Sequence, residues 1–222
     1  MYKNVMVALL AALLAIACGK SVATAAKKFE GQCAEGSIKA CYQLGTYLEY
    51  EVQDAAAALP YYKKACESNF APACTNLGSL YGRGHGTQLD KPKAAAMYRK
   101  GCDGEDSMAC SNLADFLLRG IGIPADTAAG LALYRKSCLA GDIVACRDLG
   151  AVYVSGNSVA PNSALGAIWL KKACDGGSAQ ACGDLAHLYH TGNGVPKDFA
   201  VAWRLYRASC NGGYKQACQM IR

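Results

Sequence analysis

A chain of 222 residues is long enough for one ordinary domain or for an array of small units, and 52% hydrophobic residues exclude a mainly disordered protein. The net charge of +6 is modest, and its Lys and Arg are spread along the chain rather than gathered in a basic block. Nucleic acid is therefore not expected as a partner.

Met1, Tyr2 and Lys3 precede an apolar run from Val5 to Ala17. That run is shorter than the about 20 residues a membrane-spanning helix needs, and residues 1–17 resemble a signal peptide. Two cleavage sites compete. Leu14-Ala15-Ile16-Ala17-Cys18 resembles a lipobox, with Ala15 where Leu is usual, and cleavage there makes Cys18 a lipidated N-terminus. Ala23-Thr24-Ala25 fits ordinary signal peptidase, cutting after residue 25. Cysteine parity bears on the choice. Of 13 cysteines, 12 fall into six pairs: Cys33 with Cys41, Cys66 with Cys74, Cys102 with Cys110, Cys138 with Cys146, Cys174 with Cys182, and Cys210 with Cys218. Only Cys18 is left over, and lipidation explains an odd cysteine in an exported chain; the alternative is that Cys18 is discarded with the signal. The expected product is a lipoprotein of the periplasm or outer membrane, or a secreted protein. It touches the membrane only through the anchor at Cys18, with a linker over 18–26 and one domain over 27–222.

The first cysteines of the pairs fall at 33, 66, 102, 138, 174 and 210, so after one step of 33 the period is 36. A fixed period of this size means stacked units. Alanine precedes every second cysteine, from Ala40 to Ala217. Beyond it, Leu44, Leu77, Leu113, Leu149 and Leu185 recur at the third place, and Leu48, Tyr81, Leu117, Tyr153 and Tyr189 at the seventh. These spacings share one helical face and predict a helix A, stopped by Gly84, Gly120, Gly156 and Gly192 in four units. Twelve residues before Cys66, Cys102, Cys138, Cys174 and Cys210 stand Asp54, Asp90, Asp126, Asn162 and Asp198, N-caps of a helix B. Pro124, Pro161 and Pro196 lie just before these caps, and Pro92 falls in a first turn.

Ala58, Ala94, Gly130, Gly166 and Ala202 are all tiny, which lets helices A and B approach closely. Lys63, Arg99, Arg135, Lys171 and Arg207 recur three places before the first cysteine, where they serve as cations at the end of helix B; the alternative is a polyanion-binding ridge. Between the paired cysteines lie turn formers such as Asp103-Gly104, Gly141-Asp142 and Asn211-Gly212-Gly213. On one unbroken helix, cysteines eight apart would be separated by about 12 Å, beyond the ~7 Å limit for a disulfide. With a turn between them each pair can close locally, and in the chain-entropy account such a loop is worth roughly 2.5 kcal/mol. Zinc fits less well, because its cysteines usually lie two to four apart and each pair lacks two further ligands. Half-units at 27–35 and 214–222 read as caps.

The string from Cys182 to Cys210, with Leu185, Tyr189, Gly192, Gly194, Asp198, Ala202 and Tyr206 at recurring places, resembles the Sel-like repeat, a relative of the tetratricopeptide repeat. Its cysteine-bearing form is similar to the Helicobacter cysteine-rich protein family. Over residues 27–222 the resemblance implies an all-α fold. It is a right-handed α/α superhelix, a solenoid of about five helical-hairpin repeats with half-repeat caps. The resemblance also implies a disulfide in each repeat and a long concave surface for peptides or proteins. Members of that family are also described as penicillin-binding or weakly β-lactamase-active, so an enzyme is the alternative reading.

No residue pattern supports that chemistry. Neither Ser-x-x-Lys nor Lys-Thr-Gly occurs. His187 and His190 can share a helical face but lack a third ligand, His85 sits in a turn, and Gly82-Arg83-Gly84-His85-Gly86 reads as a helix stop. No catalytic, cofactor or metal residue is assigned. Tyr62, Tyr98, Tyr134 and Tyr206 read as core. The expected function is a non-catalytic, extracytoplasmic scaffold binding a protein, a peptide or a cell-wall fragment along its A helices.

Overall fold

The computed structural model describes residues 26–221; the signal peptide and Cys18 lie outside the described residues. Two compact units divide the chain, one ending at Met97 and the other beginning at Tyr98. Among the described residues all regular structure is helical. The first unit holds α1 (26–34), α2 (Ile38–Thr46), α3 (Ala55–Glu67) and α4 (Ala71–Arg83). Helix α5 (Lys91–Asp103) spans the division. The second unit holds α6 (Ser107–Arg119), α7 (Thr127–Leu139), α8 (Ile143–Ser155), α9 (Ser163–Asp175), α10 (Ala179–Thr191), α11 (Phe199–Asn211) and α12 (Lys215–Gln219). Even numbers are A helices and odd numbers B helices.

Each boundary follows from a side chain at a fixed place. Asp54, Asp90, Asp126, Asn162 and Asp198 accept from the backbone N–H three residues on at 2.9–3.0 Å, satisfying a donor that opens helix B. Helices α4, α6, α8 and α10 end on Gly84, Gly120, Gly156 and Gly192 at φ 66°, 63°, 69° and 77°, the left-handed C-cap. The first repeat lacks this glycine. There α2 runs on into a π-helical turn, Tyr47–Glu51, Gln53 takes φ 61°, and the Asp54 N–H donates to Leu48 O at 2.8 Å. That is how the shorter loop reaches its cap.

Paired helices touch backbone to backbone. A Cβ on Gly130 would lie 2.8 Å from Leu118 Cγ and 3.0 Å from Ala114 O, and one on Gly166 2.5 Å from Val154 Cγ2. Around these contacts the first unit buries Tyr62, Leu77 and Leu80, and the second buries Tyr134, Leu149, Leu170 and Leu188.

Six disulfides join the end of a B helix to the first turn of the next A helix. Cys33 is bonded to Cys41, Cys66 to Cys74, Cys102 to Cys110, Cys138 to Cys146, Cys174 to Cys182 and Cys210 to Cys218, with Cα atoms 4.5–4.7 Å apart. On the A-helix side Cys41, Cys74, Cys110, Cys146 and Cys182 are buried, whereas Cys218, in the five-residue α12, is half-buried.

The basic row departs from its expected place. Each B helix from α3 to α11 runs one residue past its cysteine, so the recurring cation starts before the last turn, which Lys64, Lys100, Lys136 and Lys172 occupy in four of them. Two of that row instead make exposed pairs, Lys63 with Glu67 at 3.9 Å and Lys171 with Asp175 at 2.6 Å. Arg207 stacks on Trp203, 4.9 Å from the ring centre.

Candidate functional site

In the second unit, α6 and α8 leave a groove of about 1190 Å³ between them. Its walls are one helical stripe repeated 36 residues on: Met108, Asn112, Asp115 and Arg119 from α6, then Val144, Asp148, Ala151 and Ser155 from α8. The stripe lies opposite Leu113 and Leu149, which face the core, so burying the leucines turns these side chains outward. Tyr134 and Leu118 supply the floor, both buried. Met108 and Val144 stand exposed at one end, and Arg119 at the other. The paired cysteines take no part in the groove. Cys110 and Cys146, on its two wall helices, are buried in the core, and Cys41, Cys74, Cys182 and Cys218 lie outside its lining.

Three carboxylates and one cation line this groove. Asp142 caps α8 through Val144 N at 2.9 Å and Ala145 N at 3.2 Å, and accepts from the Ser111 hydroxyl at 3.0 Å, which ties α6 to the start of α8. Asp115 pairs with Arg119 at 3.2 Å. Asp148 accepts from Arg147 Nε at 2.8 Å, while Arg147 also donates to Gln180 on α10 at 3.1 Å. Burial holds the Asp148 carboxyl above the usual carboxylate range; Arg147 opposes the shift and the charges of Asp115 and Asp142 add to it. Asp184, at the same place on α10, is raised by burial as well. The Tyr134 phenol is pushed up by burial and by the nearby Asp148 and Asp115.

This arrangement offers acceptors and apolar surface but no nucleophile with its base. No lysine lines the groove, and the Ser111 hydroxyl lies 3.0 Å from both Ser107 O and an Asp142 oxygen, with its one proton shared between these two acceptors. His187 is exposed, and His190 packs edge-on against Phe199 with centres 5.2 Å apart. Among the described residues no three His, Cys, Asp or Glu side chains gather as metal ligands.

The row that builds the groove is readable in the sequence but easily passed over. Two places after the second cysteine of the first five pairs stand Gln43, Asn76, Asn112, Asp148 and Asp184, all polar and next to a core leucine, whereas the last pair has Met220 there.

The family model of the Sel1 repeat matches residues 38–70, 71–106, 107–142, 143–178 and 179–214. No curated protein matches the sequence. Among solved structures, a protective antigen of uropathogenic Escherichia coli strains displaying an SLR fold is 28% identical with a TM-score of 0.78; the match covers 87% of this chain and 42% of the antigen's length. A Sel1 repeat protein from Oxalobacter formigenes is 28% identical with a TM-score of 0.75, covering 83% of this chain and 75% of its own. Helicobacter pylori cysteine rich protein B is 27% identical with a TM-score of 0.47, covering 57% and 93%.

Proposed function

The chain belongs to the Sel1 repeat family, and from that premise we propose that it is a non-catalytic scaffold that holds a peptide or protein segment along its A helices. The groove between α6 and α8 carries this reading, because it combines exposed apolar side chains with hydrogen-bonding groups on rigid helices. Six disulfides fit work in an oxidising compartment outside the cytoplasm, reached through the signal over 1–17 and held at the membrane by a lipid on Cys18. Cys18→Ala then moves the protein from the membrane fraction to the soluble one; retention of the variant on membranes refutes the anchor.

A photo-crosslinking amino acid placed in cells at Ala151, inside the groove, or at Ala132, on the exposed face of α7, tests the binding site. Discrete adducts from position 151 and none from 132 are expected. Equal labelling at both positions overturns the assignment.

A further inference from the structure

The floor of the groove holds a polar group with no partner in the fold. Tyr134 is 5% exposed, and its hydroxyl makes no hydrogen bond among the described residues. Its counterpart in the first repeat, Tyr62, donates to Glu49 at 2.7 Å. Glu49 stands eight places after Cys41, the second cysteine of its pair; in the repeat that forms the groove, eight places after Cys110 is Leu118, which offers no acceptor. The Tyr134 side chain is buried, but its oxygen opens onto the groove and is not sealed in as Tyr206 Oη and Trp169 Nε1 are, so its hydrogen bond is open to water or to a ligand.

What surrounds this hydroxyl defines the ligand. Asp115, Asp148 and Tyr134 line the same groove, and the charges of both carboxylates reach Tyr134, so the groove offers a ligand three oxygen acceptors. The neighbouring cations pair with these same carboxylates, Arg119 with Asp115 on the exposed rim and Arg147 with Asp148 and Gln180, but with Asp142 the lining still holds three carboxylates against the one guanidinium of Arg119. The sign of the groove also opposes that of the chain, which carries +6 overall and exposes Arg99 and Arg135 on α5 and α7. A basic segment is repelled by those B-helix faces and drawn to the groove, which gives it one place to dock.

We propose that the groove takes an extended segment bearing a lysine or arginine, whose cation is held by Asp115, Asp148 and the Tyr134 hydroxyl while a neighbouring apolar side chain rests on Met108 and Val144. This rests on the reading of the groove as a peptide site. Charge-assisted hydrogen bonds of this kind are worth ~1.5–3 kcal/mol, which corresponds to roughly ten- to a hundredfold in affinity.

The test uses the full chain with its disulfides closed and four pools of fluorescein-labelled dodecapeptides. The pools are degenerate except for a central Lys, Arg, Gln or Glu, and binding is read by fluorescence anisotropy. The Lys and Arg pools should bind at least about tenfold tighter than the Gln and Glu pools. Asp115→Asn with Asp148→Asn should erase that preference, and Tyr134→Phe should weaken the Lys and Arg pools severalfold while leaving the Gln pool unchanged. Ala151→Trp, which fills the groove from an exposed position, should abolish binding of all pools. If Ala151→Trp abolishes binding but the pools bind equally well, or the Asn variants leave the preference intact, the cation proposal is overturned and the peptide groove stands. If no pool binds, or Ala151→Trp changes nothing, both are overturned.

Discussion

Replacing Cys138 and Cys146 by alanine, singly and together, separates the worth of a covalent staple from the packing of its sulfurs. The two cysteines are eight apart in sequence, and both are buried, at 0% and 2% exposed. Closing a loop of that size is worth about 2.5 kcal/mol through the entropy of the unfolded chain. Each buried sulfur removed forfeits roughly a further 1 kcal/mol of burial. Either single variant breaks the same bond, so each should lose about 3.5 kcal/mol and the pair only about 4.5, where additive effects would give about 7. The cycle therefore carries an interaction energy of about −2.5 kcal/mol. Guanidinium unfolding followed by far-ultraviolet circular dichroism measures it, with mass spectrometry confirming that the other five pairs remain closed. Amides of α7 and α8 should lose hydrogen-exchange protection before those of α10 and α11, since the staple joins α7 to α8. An interaction energy near zero, or single variants costing under about 1 kcal/mol, refutes the staple as a source of stability.

The Asp148 carboxyl titrates above its ordinary value of about 3.9 in the fold, so the folded chain binds that proton at higher pH than the unfolded chain. Stability is thus greatest below the unfolded pKa and falls as pH rises through the folded one; Asp148→Asn should be more stable than the parent at pH 7 in urea melts, with the gain gone below about pH 4. A variant less stable at neutral pH counts against the burial argument. Gly166→Ala places a Cβ 2.5 Å from Val154 Cγ2 and 2.9 Å from Gly150 O, and should lower stability by roughly 1–3 kcal/mol, with Val154→Ala restoring part of it. Unchanged melting would mean that α8 and α9 separate freely. Tyr62→Phe removes the bond to Glu49 and should cost about 1 kcal/mol, whereas Tyr134→Phe has no such bond to lose and should be near neutral in the unliganded protein. Equal costs for the two variants would show that the Tyr134 hydroxyl is already satisfied.

The caps, stops and staples are legible in the sequence because each depends on one residue type at a fixed offset: Asp126 needs only to precede Ala129 N, Gly156 only to follow α8, and Cys74 only to stand one turn into the helix after Cys66. Close helix contact is legible for the same reason, since Gly130 and Gly166 recur where their neighbours are alanine. The basic row reads as capping only if helix B ends at the cysteine; one extra residue moves Lys171 away from the last turn and sets it opposite Asp175. The π-helical turn at Tyr47–Glu51 has no signal beyond three missing residues. The groove stays hidden because its formation depends on what two helices 36 residues apart leave uncovered, which no single period displays.

Stability and recognition occupy different residues of the same repeat, and this separates what can vary from what cannot. Leu149, Gly150 and Cys146 on α8 meet α9, neighbouring core or the disulfide, so any change there is felt by the packing. Asp148, between them, turns to the groove, and the same place holds Gln43, Asn76, Asn112 and Asp184 in other repeats without altering the hairpin. A half-buried carboxylate is a poor choice for stability, as the raised Asp148 and Asp184 show, and it persists only where the fold has reserve. The staples supply that reserve locally, because each acts within its own repeat and does not depend on the side chains that face the partner. An unfavourable charge can therefore be kept at a groove position for its effect on binding while the adjacent disulfide holds the two helices that present it.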